Sequence, residues 1–212
     1  MAKNQIDLFA LFNQVAKTMK DSKTSLNKAD TYNHDHGDHM AEIFEVIAQA
    51  VKEKKSADPA DQLEYAASLL RNKAKSGSGK LYAHGLKEAA KQMVGKDLDA
   101  GSIISMMQTV LGAGEAPAAT KPAASGDMLG SLLGSLVGGG KTGGGEGGMD
   151  MGDLLGAGMR FLSAKQGGKS NLEAITGALV SGSQMASSPY REQSSRLVTS
   201  TMLKALTSML SK

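Results

Sequence analysis

The sequence predicts an all-α protein of about eight amphipathic helices, packed antiparallel in a closed bundle. Three observations predict it. Apolar residues recur at i, i+3, i+4 and i+7 in segment after segment. Helix-start signals such as Asp58-Pro59 and Ser188-Pro189 stand in front of several of those segments. No stretch shows the strict apolar/polar alternation of a half-buried strand.

The helices follow in order. Residues 5 to 22 place Leu8, Leu11, Phe12, Val15 and Met19 on one face. Residues 39 to 54 repeat the pattern with Met40, Ile43, Phe44, Ile47 and Val51. Asp58 caps a helix that begins with Pro59 and carries Leu63, Ala66, Ala67 and Leu70. Residues 79 to 94 give Leu81, Tyr82, Leu86, Ala89, Ala90 and Met93. Asp99 caps a helix with Ile103, Ile104, Met107 and Leu111. Leu154, Leu155, Met159, Phe161 and Leu162 mark a further one. Ser170 and Glu173 form a capping-box pair ahead of Leu172, Ile175 and Leu179. Ser188-Pro189 opens the last helix, with Val198, Met202, Ala205, Leu206, Met209 and Leu210.

The 212 residues suit a single domain, read here as 1–212. Aromatics are 4% and methionines number 13, so the core is aliphatic and adaptable. A formal charge of +3 with scattered lysines gives no nucleic-acid footprint, and no nucleic-acid partner is expected. Zero cysteines exclude disulfides and thiolate metal sites. No signal-peptide pattern stands at the N-terminus and no stretch approaches the roughly 18 apolar residues of a membrane span. The expected location is the cytoplasm.

One segment departs from helix composition. Residues 126 to 158 hold 14 of the 26 glycines, and "GGGKTGGGEGG" lacks the apolar area that would offset its ordering entropy. A flexible Gly/Ala/Pro-rich insert is therefore expected at about 112–152. Within and after it, "GGGKT" (138–142) and "GGKS" (167–170) imitate a phosphate-binding loop. That motif needs a glycine five positions before its Gly-Lys, and a preceding strand. The glycine's place is taken by Ser135 and Ser163 respectively, and neither segment follows a strand pattern.

The densest chemistry lies in "DTYNHDHGDHM", residues 30 to 40, which holds three of the four histidines. Asp30, Asp35 and Asp38 offer hard oxygen ligands suited to Mg²⁺ with phosphate and water. His34, His36 and His39 suit Zn²⁺ better. Gly37 allows a tight turn, and the helix expected from Met40 would add N–H groups facing an anion. From the residues alone three readings stand: a Mg²⁺–phosphate site, a transition-metal site, and a solvated turn that binds nothing.

"LNKADTYNHDHGDHM", 26 to 40, resembles the signature loop of the dihydroxyacetone kinase L-subunit family, the DhaL domain. There a Leu-Asp or Leu-Asn pair leads into Gly-Asp-Gly-Asp-x-Gly-x-x-Met, and Asp35-His36-Gly37-Asp38-His39-Met40 aligns with its second half. "KSGSGKLYAHGLKEAAKQMVGKDLDAGSI", 75 to 103, resembles the family's Gly-Gly-Ala-Ser-Gly-x-Leu-Tyr-Gly segment and the helices after it. "GGKSNLEAI", 167 to 175, is similar to its Gly-Asp-Lys-Thr-Met-Leu-Asp-Ala-Leu.

The resemblance implies a closed antiparallel helical barrel that binds ADP or ATP with Mg²⁺. It further implies phosphoryl transfer to a small hydroxy-ketone held by a partner subunit. It assigns Asp30, Asp35 and Asp38 to the metal, and His36, His39, Ser76, Gly77, Ser78 and Gly79 to the nucleotide. The family's carboxylates are spaced Asp, four residues, Asp, one residue, Asp. With Asp35 as the third, the other two fall on Lys28 and Asn33; with Asp30 and Asp35 as the first two, Asp38 must stand in for the third. The family's late nucleotide-covering elements have their nearest counterpart in "SSPYREQSSR", 187 to 196, with Arg191. The alternatives are a degenerate member that binds or regulates without catalysis, and a His/Asp site for Zn²⁺ on the same scaffold.

Overall fold

A computed structural model describes residues 6–112, 171–181, 183, 185 and 187–211. Among them stand seven helices and no strand. These are α1 (Leu8–Ala29), α2 (His36–Glu53), α3 (Pro59–Lys73), α4 (Gly77–Met93), α5 (Ala100–Val110), α6 (Asn171–Ser181) and α7 (Pro189–Leu210). The all-α prediction holds. The expected insert, the helix near Leu154–Leu162, both lysine-containing glycine segments and the Ser170 cap lie outside the described residues.

Several helices begin at a sequence start signal, although Asp58 and Ser188 stand before α3 and α7 without a side-chain cap bond. Asp7 accepts from the Phe9 and Ala10 N–H groups at 2.9 and 3.3 Å and starts α1. Asp99 and Ser102 exchange a reciprocal pair at 2.7 and 2.9 Å to start α5. Pro59 and Pro189 occupy first-turn positions, where a missing N–H costs nothing.

The apolar stripes then bury as their spacing dictates. Leu11, Phe12, Val15, Met19 and Leu26 of α1 are fully buried against Met40, Phe44, Ile47 and Val51 of α2, with α7 on the other side of α1. The core continues through Leu63 and Leu70 of α3, Tyr82 and Leu86 of α4, and Ile103 and Met107 of α5. The Tyr82 and Phe44 rings meet edge to face, centroids 5.1 Å apart. Removing a side chain such as Phe12 would cost about 3–5 kcal/mol in transfer and cavity terms.

Connections 30–35, 54–58, 74–76 and 94–99 are short, so consecutive helices run antiparallel. The C-termini of α1 and α3 therefore share one end of the bundle with the N-termini of α2 and α4. Among the described residues no helix is long and apolar enough to cross a membrane.

Candidate functional site

The starts of α2, α4 and α7 meet at that end around a pocket of about 140 Å³. Asp30, Asn33, Asp35, His36 and His39 line one side of it. Ser76, Gly77 and Ser78 come from the start of α4, and Tyr190 and Arg191 from the first turn of α7.

The loop between α1 and α2 is fixed by two side chains acting on backbone. Asp30 is 1% exposed, and its Oδ1 accepts from the Tyr32 N–H at 3.0 Å. Burial alone would push the Asp30 carboxyl up; the N–H groups of Tyr32, His36, Asn33 and Asp35 outweigh it and hold the group below its ordinary value. Asp30 is thus a buried, ionised loop anchor. From the end of α1, Asn27 Oδ1 accepts from the Gly37 and Asp38 N–H groups at 2.6 and 3.2 Å. This replaces the cap that Asp35, which precedes α2, does not supply with its own side chain.

Two expectations are corrected here. The helix starts at His36, not Met40. Gly37 serves no unusual turn, since it lies inside α2; the left-handed residue of the loop is His34, at φ 59°. Gly37 is required because a Cβ there would overlap the Lys23 carbonyl oxygen.

Ser76 caps α4, its hydroxyl accepting from the Gly79 N–H at 3.1 Å. The N–H groups of Gly77 and Ser78 ahead of it have no carbonyl partner within their own helix. Gly79 does not line the pocket; a Cβ there would collide with the Ala74 side chain, so it lets the chain turn tightly into α4. Arg191 reaches over this start, with Nη2 3.5 Å from the Cβ position of Gly77. Its Nε and the Ser188 hydroxyl are buried and have no hydrogen-bond partner. Of the two, Arg191 lines the pocket, and its orphaned N–H is expensive unless something there accepts from it.

His36 is 4% exposed, edge-on to Tyr190 at 4.8 Å, with Nε2 2.9 Å from Ser194 Oγ. Burial lowers its pKa to about 4, with Asp30 opposing and Arg191 adding to the effect. It is neutral at pH 7. His39 Nδ1 lies 3.2 Å from Asp35 Oδ1.

Asp38 is elsewhere. It pairs with Lys23 Nζ at 2.7 Å and accepts from Asn27 Nδ2 at 2.6 Å, outside the pocket lining. The hydrogen bond from Lys23 and then that from Asn27 hold its carboxyl below the ordinary value.

Residues 34–128 match the family model for the DAK2 domain. This is the DhaL-type domain of dihydroxyacetone kinase. The DAK2 match takes in the whole of α2, α3, α4 and α5, and with them every expected site residue except Asp30. No curated protein and no solved structure matches the chain.

The metal that such a domain implies does not fit these residues as they stand. Of the three carboxylates expected to hold Mg²⁺, Asp30 is occupied by loop N–H groups, Asp35 pairs with His39, and Asp38 faces away toward Lys23. Among the described residues no three His, Asp or Glu side chains converge as a metal site, which applies to Zn²⁺ as well. The donors that the pocket does offer are the Gly77 and Ser78 N–H groups at the α4 start and the Arg191 guanidinium, beside the Asp30 and Asp35 carboxylates.

Tyr190 and Ser194 were not legible as site residues in the sequence. The Ser188-Pro189 helix start was the available signal, because a first turn is where side chains reach an anion. Asn27 stood inside the resembling segment with no role attached.

Proposed function

We propose that the pocket binds the phosphate groups of a nucleotide, making this chain a DhaL-like nucleotide-binding module. The observation that carries the reading is the convergence of the α2, α4 and α7 N-termini, with Arg191, on one pocket. The α4 start presents about half a positive charge with the Gly77 and Ser78 N–H groups free of helical acceptors, and the α2 and α7 starts add their dipoles. Ser76, Gly77 and Ser78 would hold phosphate oxygens through backbone N–H groups and the Ser78 hydroxyl, and Arg191 would add a charge-assisted contact. Neutral His36 and the Tyr190 ring would wall the pocket.

In dihydroxyacetone kinase such a module works with a partner subunit that holds the hydroxy-ketone. The corresponding reaction here would pass the γ-phosphoryl of ATP to a hydroxyl oxygen of that ketone, releasing ADP. A second reading keeps nucleotide binding and drops transfer, leaving a regulatory or binding module. The engagement of Asp38 by Lys23 and Asn27 favours it, because a carboxylate expected at the metals is committed elsewhere.

Thermal unfolding with ADP or adenosine tests the binding step. Ligand that binds the native state raises the midpoint by mass action. A rise with ADP and none with adenosine supports phosphate recognition. No rise with ADP, or equal rises with both, would remove the reading.

A further inference from the structure

We propose that this pocket holds phosphate without a divalent cation, the positive ends of three helices and Arg191 standing where Mg²⁺ ions stand in a two-metal phosphoryl site. The inference rests on the phosphate-binding reading above and deepens it.

Mg²⁺ at a phosphate site is held by one or two carboxylates that stay open to it, with phosphate oxygens and water completing its shell. Only Asp30 and Asp35 of the expected carboxylates line the pocket. Asp30 is 1% exposed, and its oxygens already accept from the loop backbone. A metal there would compete with those N–H groups for the same carboxylate lone pairs. Asp35 lies 3.2 Å from His39, and Asp38 lies 2.7 Å from Lys23.

The opposite sign is well supplied. α2, α4 and α7 begin at His36, Gly77 and Pro189, and residues from all three starts line the pocket. Their N-terminal charge repels a dication and attracts an oxyanion. Arg191 Nε and Ser188 Oγ are buried without partners. The guanidinium N–H, which lines the pocket, is a donor only, so an oxyanion or its bound water would satisfy it and a metal ion would not.

Calorimetric titration of ADP into the full-length chain, once with EDTA and once with Mg²⁺, tests the inference. The dissociation constant expected with EDTA equals that with Mg²⁺ within about 3-fold or is lower, since no protein ligand awaits the metal and the helix starts disfavour it. The same comparison on Asp38→Asn should give the same outcome, because Asp38 lies outside the pocket. Binding at least about 10-fold tighter with Mg²⁺ would overturn metal independence while leaving the phosphate site intact. A loss of ADP binding in Asp38→Asn that is confined to the Mg²⁺ titration, with an unchanged unfolding midpoint, would overturn it too. Absence of binding in both titrations would overturn the phosphate-binding reading itself and the inference with it.

Discussion

His36 Nε2 lies 2.9 Å from Ser194 Oγ, joining residues 158 positions apart and tying the start of α2 to α7. Ser194 donates its own proton to the Arg191 carbonyl at 2.9 Å. Its hydroxyl oxygen is thus left to accept from His36, which assigns the Nε2–H tautomer from the network. One histidine edge sets how the first turn of α7, with Tyr190 and Arg191, sits beside the loop at 30–35.

Burial of the His36 ring makes stability depend on pH. His36 has a folded pKa of about 4 against 6.5 in its ordinary state, so the unfolded chain takes up the proton first on acidification. Stability is complete above pH 6.5 and is lost as pH falls toward 4. The loss is on the order of 2–3 kcal/mol. Urea midpoints measured at pH 7, 5.5 and 4.5 should fall for the wild type and fall less for His36→Gln. Parallel slopes in the two proteins would contradict the assignment.

Gly37→Ala should destabilise by about 2 kcal/mol or more, since the new methyl overlaps the Lys23 carbonyl and α1 or α2 must shift. Asn27→Ala removes the cap that α1 lends to α2 and should cost about 1 kcal/mol. Denaturant unfolding reads both. A Gly37→Ala protein as stable as wild type would mean that the two helices do not approach as described.

The Tyr82 hydroxyl is buried and makes no hydrogen bond of good geometry. Tyr82→Phe should therefore change stability by less than about 0.5 kcal/mol or raise it, whereas Tyr82→Ala should cost about 3–5 kcal/mol. A Tyr82→Phe loss above about 1.5 kcal/mol would show that the hydroxyl has a partner in solution.

Much of the fold was legible because local signals and global packing agree. Asp58-Pro59, Asp99 and Ser188-Pro189 each stand at an observed helix start, and the heptad-like apolar positions of α1 and α2 are the buried ones. Helix bounds were less legible: α2 starts at His36 because Asn27, nine positions earlier in the chain, accepts its first N–H groups. Capping across two helices leaves no mark in a local pattern.

The site was legible in part for the same reason. Asp30, Asp35, His36, His39, Ser76, Gly77 and Ser78 line one pocket. The resemblance grouped them, and an antiparallel bundle brings those two connections to one end. Asp38 was misplaced because helical periodicity turns it from the pocket toward Lys23, and sequence density gave no direction to its side chain. Tyr190 joins through α7, whose approach to α2 is a long-range packing outcome.

The most direct test is a calorimetric titration of ADP into wild type and Arg191→Ala in one buffer. Arg191 Nε has no partner, and the Arg191 carbonyl that Ser194 uses survives the substitution. The variant should keep its unfolding midpoint and bind ADP at least about 10-fold more weakly, the worth of one charge-assisted contact. Equal affinity in the two proteins would contradict a phosphate site at the junction of α2, α4 and α7.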